Sequence, residues 1–483
     1  MRRKIGAILV IISMIGTLLI PGRFSPAQVQ AQDTEEQVSI NYWSIYPSSD
    51  PYTVKHQIYI DQFMEKNKNI KIIHQGTNFW DYFTKLKTAQ AGGDVIDVYW
   101  QDIVSVKFRA KNEVAANLSP YLKADNVDMT QWTQNDLDTV SYQKGIYAMI
   151  FSSDSRVLYY NKTHLKAAGL DPNSPPKTFE QLSEYAKKLT IYENADQKKL
   201  IQVGFHPRLG NNAIQQIVWP MGGSFFDKKG NPTINIEENV KAIQWWVDIA
   251  RSYPLRAMNG FTSEHSDGTG KDQSFIQGAA SMVIDGDWLA WQIEKVNPEL
   301  DYGVTAVPYT KEEYRSNWSG GFTLEMSAKS DDKKAKAAWE FMKYMTGVEV
   351  QSDMSAKLDF LPANTKAIEE LKKTANENQK LIFNEFGFRR HVDYCEASPE
   401  WWIYVGEQLS KAESNEVTAK VAMDTAQTNL VAVIEEYDIT NQGTEIPVIP
   451  IALGAGGVII LIALIVILKS RSKKKSLENK KIK

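Results

Sequence analysis

The sequence predicts an α/β fold of two units followed by one membrane helix. Three observations carry this. Strand and helix signals alternate from Val38 to Trp100, and the alternation resumes after Tyr147. An uncharged run of 22 residues, Pro447 to Leu468, then precedes a basic tail. With 483 residues, 43% hydrophobic and 23% charged, the chain has material for two or three globular domains with ample core.

The N-terminus opens with the basic "MRRK", continues in an apolar run from Ile5 to Ile20, and reaches small residues at "VQAQ". This is the order of a secretory signal, expected to span residues 1–31 with cleavage after Ala31. No cysteine stands near that site, so a lipid anchor is not expected there. A soluble body over 32–440 follows. "VSINYW" alternates as a strand, Tyr59 and Phe63 stand one helical turn apart, and "IKII" reads as a second strand. Phe79, Phe83 and Leu86 have the spacing of an amphipathic helix, and "DVIDVYW" is a third strand. Strands alternating with helices imply a parallel, doubly wound sheet with ligand sites at the strand C-terminal ends.

After Tyr147, "RVLYYN" reads as a strand, and Thr178 with Gln181 form a capping box ahead of a helix. Ile243, Trp246, Val247 and Ala250 make one helical stripe, and Ala338, Phe341, Met342 and Met345 another. Residues 441–446 read as a polar stalk. At about 1.5 Å per residue, the run 447–468 reaches roughly 33 Å, enough to cross a bilayer. The basic tail 469–483 belongs on the cytoplasmic side, which leaves the body outside.

The formal charge of −3 is uneven: both termini are basic, and the stretch between them sums to −14. An acidic body argues against a nucleic-acid partner. The single cysteine, Cys395, excludes an internal disulfide and a CxxC metal framework. No HExxH occurs, "GTGKD" lacks phosphate-loop spacing, and "DKKGNPTIN" lacks the acids of an EF-hand. No catalytic residue, metal or cofactor is expected. Asn117, Asn161 and Asn317 head N-x-[ST] sequons.

Five stretches in order resemble one family, the extracellular solute-binding proteins of ABC importers, in the sugar-binding group that includes maltose-binding protein. They are "DYFTKLKTAQAGGDVIDVYWQD", "LYYNKTHLKAAGLDPNSPPKTFEQLSEYAKKLT", "GGSFFDKKGNPTIN", "FIQGAASMVIDGDW" and "NWSGGFTLEMSAKSDDKKAKAAWEFMKYM". Ile96 replaces the usual proline, and Ser281 is inserted in the fourth motif. The resemblance spans Val38 to Tyr437 and implies the two-lobe, type II periplasmic-binding-protein-like fold with hinge crossovers. Crossings are then expected near Ala148–Asp154, Val283–Trp288 and Trp318–Met326. Lobe 1 would comprise 38–148 and 288–318, and lobe 2 would comprise 154–283 and 326–437. Such a device closes on ligand, which must favour the closed state.

A sugar offers hydroxyls to carboxylates and apolar faces to aromatic rings. Trp245, Trp246 and Trp339 sit in helical stripes and read as core. Trp288 matches the family's stacking Trp, and Asp285 and Asp287 would share a face in an extended segment. Trp100 and Asp102 follow the third strand, where the family carries an aromatic and an acid. Asp154 matches a sugar-contacting acid and Trp402 a late stacking Trp. Tyr46, Trp80, Trp219 and Trp318 complete the expected lining. The resemblance implies a neutral oligosaccharide or monosaccharide ligand, ABC permease subunits as partners, and a monomer held in the cell membrane by its C-terminal helix. A nutrient-sensing surface receptor on the same fold, and a glycoside hydrolase, are the alternatives.

Overall fold

The computed structural model describes residues 37–47, 51–265, 272–358 and 360–441. The signal, the membrane span and the tail expected from the sequence lie outside these residues. The stalk does too, except for Asn441, the last residue of the helix Ala419–Asn441. Among the described residues no helix is long and apolar enough to cross a membrane.

Strands β1 (Val38–Ser44), β2 (Ile70–Gly76) and β3 (Val98–Asp102) form in the expected order, β3 starting at Val98 rather than Asp94, and β1 lies parallel between the other two. The helices Pro51–Lys66 and Phe79–Gly92 connect them. In the second helix the buried residues are Tyr82 and Leu86, whereas Phe79 is 38% exposed. The predicted stripe is thus rotated by about one residue. Phe79 and Phe83 turn instead toward Phe322, at ring distances of 6.0 and 6.5 Å.

The sheet is completed by distant segments. β4 (Met149–Ser152) forms one edge, and the strand Phe322–Met326 inserts antiparallel between it and β3. The sheet is therefore mixed rather than parallel throughout. A second, three-stranded sheet is wholly antiparallel, with β5 (Arg156–Asn161) flanked by β6 (Met282–Gly286) and β7 (Tyr302–Thr305). All six residues of β5 are buried, as befits a central strand covered on both faces. The capping box of Thr178 and Gln181 forms as the sequence implies.

Two hydrophobic cores define two lobes. One gathers Ile40, Phe63, Val98, Phe151, Leu324 and Phe341; the other gathers Leu158, Phe205, Trp246, Ile284, Val304 and Trp401. This corrects the expected boundaries. Ile293, Val304 and Val307 belong to the second lobe, so 288–318 is not part of the first. Ala338, Phe341 and Met354 belong to the first, so 326–437 is divided. Val283–Trp288 is no crossing, because β6 pairs with β5 inside the second lobe. Two crossings fall within or beside the expected stretches, at 152–156 and 318–322, and the third runs through residues 361–391 instead. A small cluster of Trp291, Leu361, Ile368, Phe383 and Phe386 accompanies that last passage.

The crossings are tied by a buried polar knot. Asp136, on the first lobe, accepts from Arg389 Nη2 at 2.7 Å and Ser153 Oγ at 2.8 Å, and lies 2.8 Å from His391 Nε2. All four side chains are buried. Gly321 has φ of +124°, and a Cβ there would meet Ser152 O at 2.2 Å, so glycine is required where these two crossings touch.

Candidate functional site

The C-terminal ends of β1 to β3 build one wall from the residues that follow them. Tyr46 is half-buried, its ring 5.3 Å from Trp100 and 4.5 Å from His56. Trp80 is 84% exposed at the start of its helix and packs edge-on against Phe79 at 5.2 Å. Trp100 does not line an open surface: it is 2% exposed, and its Nε1 donates to Tyr42 OH at 2.7 Å. The reason is its position in a strand that lies inside the sheet, wedged against Phe151 and Phe322. Asp102 is half-buried and already engaged. Oδ1 accepts from Ser105 N and Oγ at 2.9 and 2.6 Å, and Arg109 approaches Oδ2 at 3.3 Å.

The opposite wall gathers around the first two crossings. Arg156 pairs with Asp154 and lies over the Trp318 ring at 3.8 Å and the Trp288 ring at 5.2 Å. Asp154 also accepts from Gly320 N at 2.5 Å, joining the first crossing to the second. The Trp318 backbone N–H bonds to Gln216 Oε1, and Ser319 N to Arg390 O. Arg390 in turn covers Trp219 at 4.4 Å. The structure thus brings Asp154, Trp288 and Trp318 together, with Trp219 beside them behind Arg390 and itself only 2% exposed. Trp402 is not joined to this group by any ring contact among the described residues; it packs on Trp401, 6.1 Å away, against the second-lobe core.

Asp285 and Asp287 do not share one extended face. The strand ends at Gly286, and Asp287 has helical angles as the N-cap of the helix Trp288–Val296. Asp285 accepts from Gly286 N at 2.7 Å and Gln273 Nε2 at 3.2 Å, while Asp287 accepts from Ser155 N at 2.9 Å. Burial pushes Asp285 up to about 6, against the favourable bonds and Arg156. Burial, with the charge of Asp154 added, pushes Asp287 up to about 7. A Cβ on Gly286 would sit 2.2 Å from the Trp288 ring, so glycine makes the room in which that indole folds back over the strand end.

Several buried polar atoms along this wall have no hydrogen-bond partner among the described residues: Gln216 Nε2, Trp219 Nε1, Trp318 Nε1 and Asp287 Oδ2. Three are donors and one is a carboxylate oxygen, so this wall keeps both kinds of hydrogen-bonding group in reserve. Two concavities lie elsewhere, about 520 Å³ beside Tyr59 and Tyr344 and about 240 Å³ beside Val304 and Leu381. Neither combines stacked indoles with carboxylates, and we place the site on the convergence at the crossings. Sequence reasoning missed Arg156, Gln216 and Arg390. Arg156 carried a signal, since it stands two residues after Asp154 and shares its face in an extended segment. No group of His, Cys, Asp and Glu among the described residues is arranged to hold a metal ion.

Two lobes joined by three crossings, with indoles and carboxylates gathered where they meet, define a solute-binding protein. A model of the bacterial extracellular solute-binding protein family matches residues 59–381, about two-thirds of the chain, and the chain belongs to that family. Its members bind solutes and are not enzymes, as the missing catalytic motifs led us to expect. The sn-glycerol-3-phosphate-binding periplasmic protein of Brucella abortus is 28% identical over 228 residues, 46% of this chain and 50% of that one. The chain spans about half the length of the curated relatives it matches. Among solved structures, CpMnBP1 with mannotriose bound has a TM-score of 0.71 at 23% identity, covering 81% of this chain and 99% of that one. A protein of Mycobacterium tuberculosis in complex with glycerophosphocholine has a TM-score of 0.67 at 18% identity, covering 83% and 100%. These two likenesses are of fold.

Proposed function

We propose that the chain is the extracytoplasmic substrate-binding component of an ABC importer, and that it takes a neutral saccharide between its lobes and delivers it to permease subunits. One observation carries the ligand class: Trp288 and Trp318 stand with Asp154 and Asp287 beside unmatched donors. Indole faces accept the C–H surface of a sugar ring, and hydroxyls serve donors and acceptors alike. A phosphate ligand is favoured less, because Arg156, the guanidinium that lies over the Trp288 and Trp318 rings, is almost wholly buried and already paired with Asp154. The lining we propose keeps Tyr46, Trp80, Trp219 and Trp402 at the periphery. Trp100 and Asp102 support the first-lobe wall. The segment 447–468 would hold this body at the outer face of the cell membrane, a reading that rests on the sequence alone.

Calorimetry decides the ligand. Mannotriose, maltotriose, sn-glycerol 3-phosphate and glycerophosphocholine would be titrated into the protein. Binding of a saccharide alone is expected; binding of either phosphate ester with no saccharide response would overturn the assignment.

A further inference from the structure

Only 3% of the Arg156 side chain is exposed, and its guanidinium is held on every edge. Nη1 donates to the Asp154 carboxylate and to Trp318 O, the latter at 3.4 Å. Nη2 and Nε donate to Asn211 Oδ1 at 2.8 and 3.3 Å. Its plane covers the Trp318 ring at 3.8 Å. Asp154 belongs to the first crossing and Trp318 to the second, and Asp154 reaches over to Gly320 N. A planar, many-donor cation can grip a carboxylate and cover an indole together; an ammonium on a flexible stem cannot.

We infer that Arg156 is a positioning residue for ligand recognition. It fixes the carboxylate of Asp154 and the indole of Trp318 relative to each other across two crossings, and has almost no surface with which to meet the ligand itself. Its ligand is the saccharide proposed above, but the geometry stands without that reading. Without the guanidinium, the Asp154 carboxylate keeps the bond from Gly320 N but loses its counter-charge, and the Trp318 ring loses the partner on its stacked face.

The experiment uses the full chain with Arg156→Ala and Arg156→Lys, guanidinium chloride as the replacement cation, and sodium chloride at equal ionic strength as control. Guanidinium is titrated up to about 50 mM, still far below the molar range in which it denatures. In Arg156→Ala, mannotriose affinity is expected to fall roughly tenfold or more, as when a charged hydrogen bond is undone. Guanidinium should recover several-fold of that loss, and Arg156→Lys should not. Without ligand, guanidinium should raise the thermal midpoint of Arg156→Ala and leave wild type unmoved. No midpoint shift in Arg156→Ala, or wild-type affinity in Arg156→Lys, would overturn the inference. If Arg156→Ala fails to fold, Arg156→Gln enters the same two assays. If wild type binds no saccharide, the ligand reading fails, and the guanidinium-dependent midpoint still decides the role of Arg156.

Discussion

Asp136 and His391 stand 2.8 Å apart although 255 positions separate them in the chain, and Arg389 shares the same carboxylate. Burial pushes the Asp136 carboxyl up, but Arg389 and His391 outweigh it and hold it well below the usual carboxylate range. Removing the acid leaves a guanidinium buried without its counter-charge. Asp136→Ala is therefore expected to destabilise the protein by about 3–5 kcal/mol, the scale for breaking a buried pair from one side. Urea denaturation measures it, and a loss under about 1 kcal/mol would deny the knot its role.

In His206 burial prevails instead. Burial, aided by Arg208, holds its ring at about 4, and its Nδ1 accepts from Arg208 N at 3.1 Å. An unfolded histidine binds its proton near 6.5, so between about 6.5 and 4 the unfolded state holds more protons and acid weakens the fold. The thermal midpoint should drop over that window. His206→Gln should drop less; an identical slope would remove His206 from the cause.

For Asp287, whose folded value is pushed up to about 7, the sign reverses. A raised carboxyl lends stability below the unfolded value near 3.9 and loses it as pH climbs through 7. Asp287→Asn preserves an acceptor for Ser155 N and cannot ionise. The variant should gain stability over wild type progressively from pH 4 to 7, with the gain level above about 8. Parallel midpoint curves for the two proteins would refute this.

Trp288→Ala tests the aromatic seat. Losing a buried ring contact is worth roughly 1–3 kcal/mol, so saccharide affinity should fall about five- to hundredfold while the fold persists. Unchanged calorimetry would return Trp288 to a packing role. Trp80, at 84% exposed, offers the complementary case. Its replacement by alanine should leave stability within about 0.5 kcal/mol, and any loss of affinity then reports contact with ligand.

Much of the first lobe was readable because its first three strands and two helices are consecutive and patterned. The capping box and the buried Trp246 and Trp339 were readable for the same local reason. What failed was non-local. Nothing in Phe322–Met326 says that it slots between β3 and β4, and residues 361–391 cross the lobes through short helices with no strand signature. The site followed the same division. "IDGDW" marked Trp288, but the turn after Gly286 separated its two acids. Trp100 looked available from sequence, and only its sheet position shows that its indole is spent on Tyr42.

The placement of Phe322–Met326 also sets a timetable. Until that segment has emerged, β3 and β4 have no strand between them, and Arg109 lacks Glu325, its partner 216 positions downstream. The nascent first lobe cannot close prematurely, and the loop to be closed is long and slow to form. A chain ending at residue 320 is therefore expected to give no protease-resistant lobe. Were the chain exported unfolded, as the expected signal over 1–31 implies, late completion of its first-made half would keep the polypeptide passable until it is across.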